Sequence, residues 1–313
     1  MATVATVATV ATVATEVTGV ERTSTVGSGG DDVPEQDDVV RSQTFDADGP
    51  VELDVDLTAG AVDVRLTETD SVSVEVRRRH SATPSWAEGA AGVLNWVGEV
   101  FGGGPGGGPG AGGDAVHEVR IEQVGDRVVV RGPKAPPPVA TALDVTVRAP
   151  SGSAVRARTR LASVTTRGEC GRVDIVTASG AITLDTVSGS GSTATLRTSS
   201  GEVDVASLGG PATVSGGSAG VRIGVVTDSV LVRTTSGEVR VGEAVDGSVE
   251  AVSGSGDIRV GVRSGTTAEI DLSSGGGSVD SDLDVADSPP EDAVGLTVRA
   301  RSGAGDVLVT RAT

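Results

Sequence analysis

One five-residue pattern returns seven times between Gly180 and Thr313, and it is the strongest constraint on the fold. It reads small residue, any residue, aliphatic residue, any residue, aliphatic residue, as in Gly237-Glu-Val-Arg-Val241. The first aliphatic position falls at Ile182, Val203, Val221, Val239, Ile258, Val279 and Val307, in steps of 18 to 28 residues. A looser alternating run lies between consecutive copies, so each period predicts two short strands and two turns.

Alternation within each copy assigns its aliphatic side chains to one face of a strand. Val239 and Val241 share one face, and Glu238 and Arg240 share the other. Two aliphatic side chains per strand are too few for an independent hairpin, so each two-strand rung must stack on its neighbours. A β-sandwich predicts strands at similar spacing, but not the same phrase in every period. We therefore predict an all-β, single-domain β-solenoid with rungs of mostly 18–21 residues.

Ser-Gly pairs mark the corners of these rungs, at Ser179-Gly180, Ser200-Gly201 and Ser236-Gly237. Glycine adopts the left-handed backbone of a tight turn, which a β-branched residue resists. The sequence therefore predicts a positive φ at these glycines.

Composition supports a narrow core and excludes several functional classes. The 313 residues include 46 glycines, two phenylalanines, two tryptophans and no tyrosine, so few large side chains are available for a wide core. The formal net charge of −18 argues against a nucleic-acid-binding or anionic-membrane surface, because both need clustered Lys and Arg. The single cysteine fits a reducing compartment. Since no apolar run is long enough to span a membrane and the N-terminus lacks a secretory signal pattern, we expect a cytoplasmic protein.

The N-terminal segment has low complexity. Ala-Thr-Val triplets lead into the acidic run Asp31–Asp38. Because a period of three matches neither a strand nor a helix, residues 1–43 are predicted to be a disordered tail. A β-prone tail that recruits copies of itself is the alternative. The solenoid domain is predicted for residues 44–313, with early strands at Val51–Leu57, Ala61–Leu66, Val72–Val76, Val116–Ile121, Arg127–Arg131 and Leu143–Val147.

Residues 80–115 interrupt the strands with a helical insert and a Gly/Pro-rich tether. Ser85-Trp-Ala-Glu88 matches a capping box, and apolar residues follow at helical spacing. We interpret these apolar residues as a candidate interaction surface, formed by Trp86, Val93, Trp96, Val97, Val100 and Phe101. The helix either caps an open end of the solenoid or docks a partner. Contact with a membrane surface is disfavoured, since Glu88 and Glu99 stand where Lys or Arg would be needed.

Catalytic, metal and cofactor sites are not predicted. Outward carboxylates on neighbouring rungs could bind a metal or act as acid and base, but acids alternating with arginines are also what an exposed strand needs for solubility. These carboxylates are Glu202, Asp204, Glu238, Asp257 and Asp280. His80 and His117 flank the insert without a third ligand, and Cys170 is expected to be an inert, partly buried thiol.

Several segments resemble a known family. They are the opening Thr44-Phe-Asp, Gly60-Ala-Val-Asp-Val-Arg-Leu66, Gly168-Glu-Cys-Gly-Arg-Val-Asp-Ile175, the Ser-Gly-Glu-Val-Asp-Val repeats and Ala300-Arg-Ser-Gly-Ala-Gly-Asp-Val-Leu-Val309. Together they resemble the actinobacterial toastrack-domain proteins that are named putative adhesins. The resemblance implies a β-solenoid without established enzyme activity, in a family whose related domains accompany envelope-stress proteins of the phage-shock and Lia type. The chain departs from the pattern in its Ala-Thr-Val tail, its glycine-rich tether and Ser281 at a core position.

We predict a non-enzymatic scaffold or adhesin-like protein-interaction module, linked to the envelope-stress response. Its expected partner is another protein or a second copy of the chain, with no nucleic acid, no transmembrane segment and no cofactor. A self-polymerising cytoskeletal solenoid and a carbohydrate-active enzyme are the alternatives. Flat ladders with uncapped ends would favour the polymer, and a groove with convergent carboxylates would favour the enzyme.

Overall fold

The computed structural model describes residues 40–79, 115–133, 142–283 and 295–312, and all of them lie in one compact unit. They form 21 strands and, at residues 115–117, one helical turn. The strands of the first part are β1 (Val40–Asp46), β2 (Glu52–Thr67), β3 (Ser71–Arg78), β4 (Arg120–Val124), β5 (Arg127–Arg131), β6 (Leu143–Pro150), β7 (Ala154–Cys170) and β8 (Arg172–Thr177). The next are β9 (Ile182–Val187), β10 (Thr193–Thr198), β11 (Val203–Leu208), β12 (Ala212–Gly216), β13 (Val221–Val226), β14 (Val230–Thr234) and β15 (Val239–Ala244). The last are β16 (Gly247–Ser253), β17 (Ile258–Val262), β18 (Ala268–Ser274), β19 (Val279–Ser281), β20 (Leu296–Ser302) and β21 (Val307–Arg311).

The strands pair into two ladders, which share the long strands β2 and β7. The first ladder runs β4-β5-β2-β7-β8-β10-β12-β14-β16-β20-β18. The second ladder runs β1-β3-β6-β2-β7-β9-β11-β13-β15-β17-β21-β19. Pairing is parallel except for β1–β3, β3–β6 and β4–β5. The prediction of an all-β solenoid built from two-strand rungs is therefore confirmed.

Rows of aliphatic side chains from both ladders form the core. In the second ladder Val239 pairs with Val221 on one side and Ile258 on the other, and all three are at most 1% exposed. The segments predicted as separate strands at 51–57 and 61–66 are one bent strand, β2, whose two halves lie in different ladders. Gly60 has a φ of 125° at this bend.

The corner glycines of the repeat are required by space and not by a turn conformation. Gly180, Gly201 and Gly237 do not have φ values in the left-handed range, so the prediction of a positive φ was wrong. A Cβ at each position would overlap a carbonyl oxygen of the neighbouring rung, from Ala162, Gly180 and Ala219 respectively. Glycine is needed there because adjacent rungs approach each other too closely for a side chain.

Buried or half-buried hydroxyl groups support the same corners. The amide of Gly201 donates a hydrogen bond of 3.0 Å to Oγ1 of Thr198, three residues earlier. The same contact recurs at Gly180 with Thr177, Gly256 with Ser253, Gly277 with Ser274, and Gly305 with Ser302, at 2.8 to 3.0 Å. Each hydroxyl satisfies an amide that the turn leaves without a ladder partner.

The last two strands lie inside the stack and not at its end. β20 pairs with both β16 and β18, and β21 pairs with both β17 and β19. The rung formed by β18 and β19 is therefore the outermost one, although it comes earlier in the chain. We call β18 and β19 the open rung.

The opposite end of the solenoid is covered by residues 115–121. Val116, predicted to begin a strand, lies instead in the helical turn at 115–117, and the strand begins at Arg120. Val116, Val119 and Ile121 are at most 5% exposed, because they pack on the hydrophobic core. Arg41 holds this segment by donating hydrogen bonds to the carbonyls of His117 and Val119. β1 begins at Val40, within the segment assigned to the tail from the sequence.

Candidate interaction surfaces

The apolar surface predicted on the insert lies outside the described residues. This applies to Trp86, Val93, Trp96, Val97, Val100 and Phe101, so a role in capping or docking stays a prediction. The segments that flank the insert are described. The Arg79 amide donates to the Ala142 carbonyl at 2.9 Å, and Ala115 belongs to the helical turn. The insert therefore departs from and returns to the end of the solenoid that carries β1, β3 and β4.

The charged side chains on the outer face of the second ladder neutralise one another. Arg222, Arg240 and Arg259 stand in register on β13, β15 and β17. Glu238 accepts from Arg240 at 2.7 Å and from Arg259 at 2.6 Å, while Arg222 pairs with Glu202. Ion pairs of such exposed groups contribute little to stability, and their carboxylates are engaged with arginines. Among the described residues, no three His, Cys, Asp or Glu side chains are grouped closely enough to hold a metal ion.

Cys170 is fully buried at the end of β7, where it faces Val187 of β9. Burial raises the pKa of the thiol to about 12, and the nearby carboxylates of Asp185 and Glu169 act in the same direction. The thiolate is the reactive form, so the predicted inert thiol agrees with this environment.

We expect Cys170 to resist a thiol reagent such as dithionitrobenzoate at pH 8 in the native protein and to react within seconds in guanidinium chloride. Because the pKa is raised, increasing the pH to 9 should still leave the folded thiol protonated and unreactive. Absorbance of the released thionitrobenzoate measures both rates. Fast labelling of the native protein at pH 8 would contradict the burial of this side chain.

The open rung leaves core positions partly uncovered. Ala268, Ile270 and Leu272 continue the inward rows of the first ladder, but each is only partly buried. Val298, the neighbour of Ile270 on β20, is 0% exposed. In β19, Val279 is 44% exposed. Within the described residues no strand pairs with the outer edge of either β18 or β19, so partly exposed apolar side chains and an unpaired strand edge lie side by side in this part of the structure.

A row of arginines runs along the outer face of the first ladder. From β4 to β20, each strand of this ladder contributes one residue to the row. Most of these residues are arginines, and the four that are not are Asp56, Val176, Ser215 and Val252. We call this set the arginine row: Arg120, Arg131, Arg158, Arg197, Arg233 and Arg301. All six are exposed. Arg301 pairs with Asp271 at 2.8 Å and Arg233 lies 3.9 Å from Glu250, whereas the first four have no carboxylate partner among the described residues.

Neither surface was predicted as a site from the sequence. Ser281 was the one available signal for the open rung, because it breaks the aliphatic pattern at a core position and is exposed in β19. No helix within the described residues is long and apolar enough to cross a membrane.

Comparison with solved structures finds bacterial proteins of low sequence identity. A putative adhesin from Bacteroides fragilis is 10% identical and has a TM-score of 0.42, with 87% of this chain and 97% of that chain covered. A putative lipid binding protein from Parabacteroides distasonis is 10% identical with a TM-score of 0.44, covering 85% and 96%. A putative adhesin from Parabacteroides merdae is 10% identical with a TM-score of 0.36, covering 85% and 95%.

Comparison with curated proteins gives no significant match. The sequence model described as Toastrack DUF4097 matches residues 130–311, from the end of β5 to the end of β21. This match takes in more than half of the chain and most of both ladders. The chain belongs to the Toastrack DUF4097 family.

Proposed function

We propose that this protein is a non-enzymatic interaction module that binds another protein through the open rung. The observation that carries the proposal is the partial exposure of the inward side chains of β18 and β19, at positions that are buried in the interior rungs. An added strand from a partner would cover these side chains and pair with the free edges at the same time. This is the β-augmentation mode of peptide recognition.

The charges beside the open rung favour a basic partner. Glu269, Asp271, Asp280 and Asp282 are exposed on or next to β18 and β19. Of these four carboxylates, only that of Asp271 pairs with an arginine within the described residues. A strand with Lys or Arg on alternate positions would match both the pleat and these carboxylates.

Self-association is the second candidate, because an uncovered strand edge also accepts a copy of the same chain. The end of the solenoid opposite the open rung, which we call the closed end, disfavours head-to-tail stacking, since Val116, Val119 and Ile121 already cover the core there.

A cytoplasmic location belongs to the same proposal. So does a link to the envelope-stress response, which the family resemblance implies. On the outer face of the second ladder, Glu202 and Glu238 are paired with arginines, which supports a binding role over hydrolysis.

Two neighbouring substitutions in the full chain test the role of the open rung. Leu272→Asp places a charge among the inward side chains of β18, and Ser273→Asp places the same charge on its outer face. We expect the wild-type and Ser273→Asp proteins to retain the same interaction, and Leu272→Asp to lose it while keeping its β-type circular dichroism. A pull-down from the native cell identifies a partner, which purified protein then confirms, and sedimentation equilibrium detects self-association. An interaction that survives Leu272→Asp unchanged would overturn the proposal.

A further inference from the structure

Going beyond the proposed function, we propose that the open rung detaches from β20 and β21 as one unit while the rest of the solenoid stays folded. Its two strands come earlier in the chain than the rung that they cover. The proposal rests on the single interface that holds the open rung, on the complete stack beneath it and on the chain connection that passes over that stack.

The open rung pairs with the rest of the described structure on one side only. β18 pairs with β20 and β19 pairs with β21, whereas β20 and β21 each pair on both sides. Because the stability of a solenoid is approximately a sum of nearest-neighbour terms, one such term holds the open rung. This interface is also less well buried than those of the interior, since Ile270 and Leu272 are only partly buried and Val279 is 44% exposed.

The stack beneath the open rung is complete without it. β16 pairs directly with β20, and β17 pairs directly with β21. Detachment therefore leaves these strands paired and uncovers their inward rows, which makes it a local opening and not global unfolding. The rows are aliphatic and at most 1% exposed: Leu296, Val298, Ala300, Val307 and Val309. The apolar surface that would meet water keeps the detached state a minor one.

The connection that leads to β18 is long enough to pass over a rung. Residues 263–267 join β17 to β18, whereas residues 245–246 are sufficient between β15 and β16. The first residue of the long connection is fixed to the stack. The Arg263 amide donates to the Ala244 carbonyl at 3.0 Å, and its guanidinium donates to Glu243 at 2.6 Å. Since β17 is anchored in this way, the open rung can leave without unpairing it.

The corner between β18 and β19 links the two strands to each other and to the stack. The Ser274 hydroxyl accepts from the Gly277 amide within the corner and donates to the Gly305 carbonyl of the neighbouring rung, both at 2.8 Å. The Ser278 amide then donates to Oδ1 of Asp306, beside β21, at 2.7 Å. Because one hydroxyl serves both the corner and the attachment, we expect the two strands to open together.

Detachment changes the strand edge at this end of the solenoid. The closed state presents β18 and β19 with their exposed carboxylates, and the detached state presents β20, which carries the exposed Arg299 and Arg301. A partner bound to the outer edge of the open rung would stabilise the closed state and suppress detachment. This consequence rests on the proposed function, whereas detachment itself does not and can be measured without a partner.

Native-state hydrogen exchange of the full wild-type chain tests the detachment. The Val307 amide donates to the Ser278 carbonyl of the open rung at 2.9 Å. The Ile258 amide, at the same repeat position one rung deeper, donates to the Asp306 carbonyl at 2.8 Å. Detachment frees the first amide and leaves the second bonded. After correction for intrinsic rates, we expect Val307 to exchange at least about ten-fold faster than Ile258, with a smaller dependence on urea.

Amides of the open rung itself test whether it moves as one unit. Gly275 donates to β20 at 3.0 Å and Asp282 donates to β21 at 2.9 Å. We expect both to share the protection and the urea dependence of Val307. Equal protection of Val307 and Ile258 would overturn the proposal, because the edge would then be freed only by global unfolding. Different protection of Gly275 and Asp282 would also overturn it, because the two strands would then open separately.

Two buried alanines of one row provide an independent measurement. Ala251 of β16 is covered by β20, Ala300 of β20 is covered by the open rung, and both are 0% exposed. We expect the thiol of Ala300→Cys to react with dithionitrobenzoate at least about ten-fold faster than that of Ala251→Cys, with Cys170 as the unreactive internal reference. Equal rates would contradict detachment. A thiol in Ala300→Cys that reacts as fast as in guanidinium chloride would show that β18 does not cover β20, which overturns the proposal as well.

Discussion

Val298→Asp is expected to lower the free energy of unfolding by about 3–5 kcal/mol, which is the range for a buried charge left without a partner. Val298 is 0% exposed on β20 and stands in register between Val249 of β16 and Ile270 of β18. An aspartate there would be enclosed by aliphatic side chains on both neighbouring strands. The next position in the same row provides the control. Ile270→Asp should destabilise the protein by only about 1 kcal/mol, because the side chain on the open rung can reach water.

Guanidinium unfolding followed by circular dichroism compares the two variants under identical conditions. The comparison tests the order of the rungs directly, since stacking in chain order would place Ile270 inside and Val298 at the end. A larger loss of stability for Ile270→Asp than for Val298→Asp would therefore contradict the position of β20 between β16 and β18.

The repeat made most of the fold predictable, because its information is local. Alternation along a strand assigns side chains to two faces, and the aliphatic residues at Val203, Val221 and Val239 all occupy the buried row that the pattern predicts. A recurring phrase also indicates that successive strands stack in parallel. At the closed end, the local pattern did not predict the secondary structure correctly. Val116 and Val119 are three residues apart, and this spacing fits a helical turn as well as an irregular strand.

The order of the last rungs could not be predicted, because strand pairing is a long-range property. Leu296, Val298 and Ala300 alternate in the same way as Ala268, Ile270 and Leu272, so the pattern permits either set in the interior. What separates them is the second strand of each rung. β21 supplies Val307 and Val309, whereas β19 supplies Val279 and the exposed Ser281. A rung that has lost one aliphatic residue is better suited to the end of the stack.

The arginine row could not be predicted from the sequence either. Arg158, Arg197 and Arg233 are separated by tens of residues, and only the strand register brings them into one line. The corners do carry a signal in the sequence. A Ser or Thr stands three residues before several repeat glycines, as at Thr198 and Gly201, and this spacing is typical of a side-chain hydrogen bond to the backbone.

Gly237→Ala should lower the free energy of unfolding by about 2 kcal/mol or more, in the upper part of the range for overpacking. The added methyl group would overlap the carbonyl oxygen of Ala219 on the neighbouring rung, so one of the two backbones must move. Ala219 is the small first residue of the five-residue pattern one rung earlier, where Gly237 stands in the next copy. A methyl group is therefore tolerated at this position when the neighbouring backbone leaves room for it. Gly220→Ala is the matched control, because a Cβ there meets no atom within 4 Å and its φ lies outside the left-handed range. We expect this control to change stability by less than about 0.5 kcal/mol. Chemical denaturation of both variants measures the difference, and equal midpoints would mean that the approach of neighbouring rungs does not explain the glycines of the repeat.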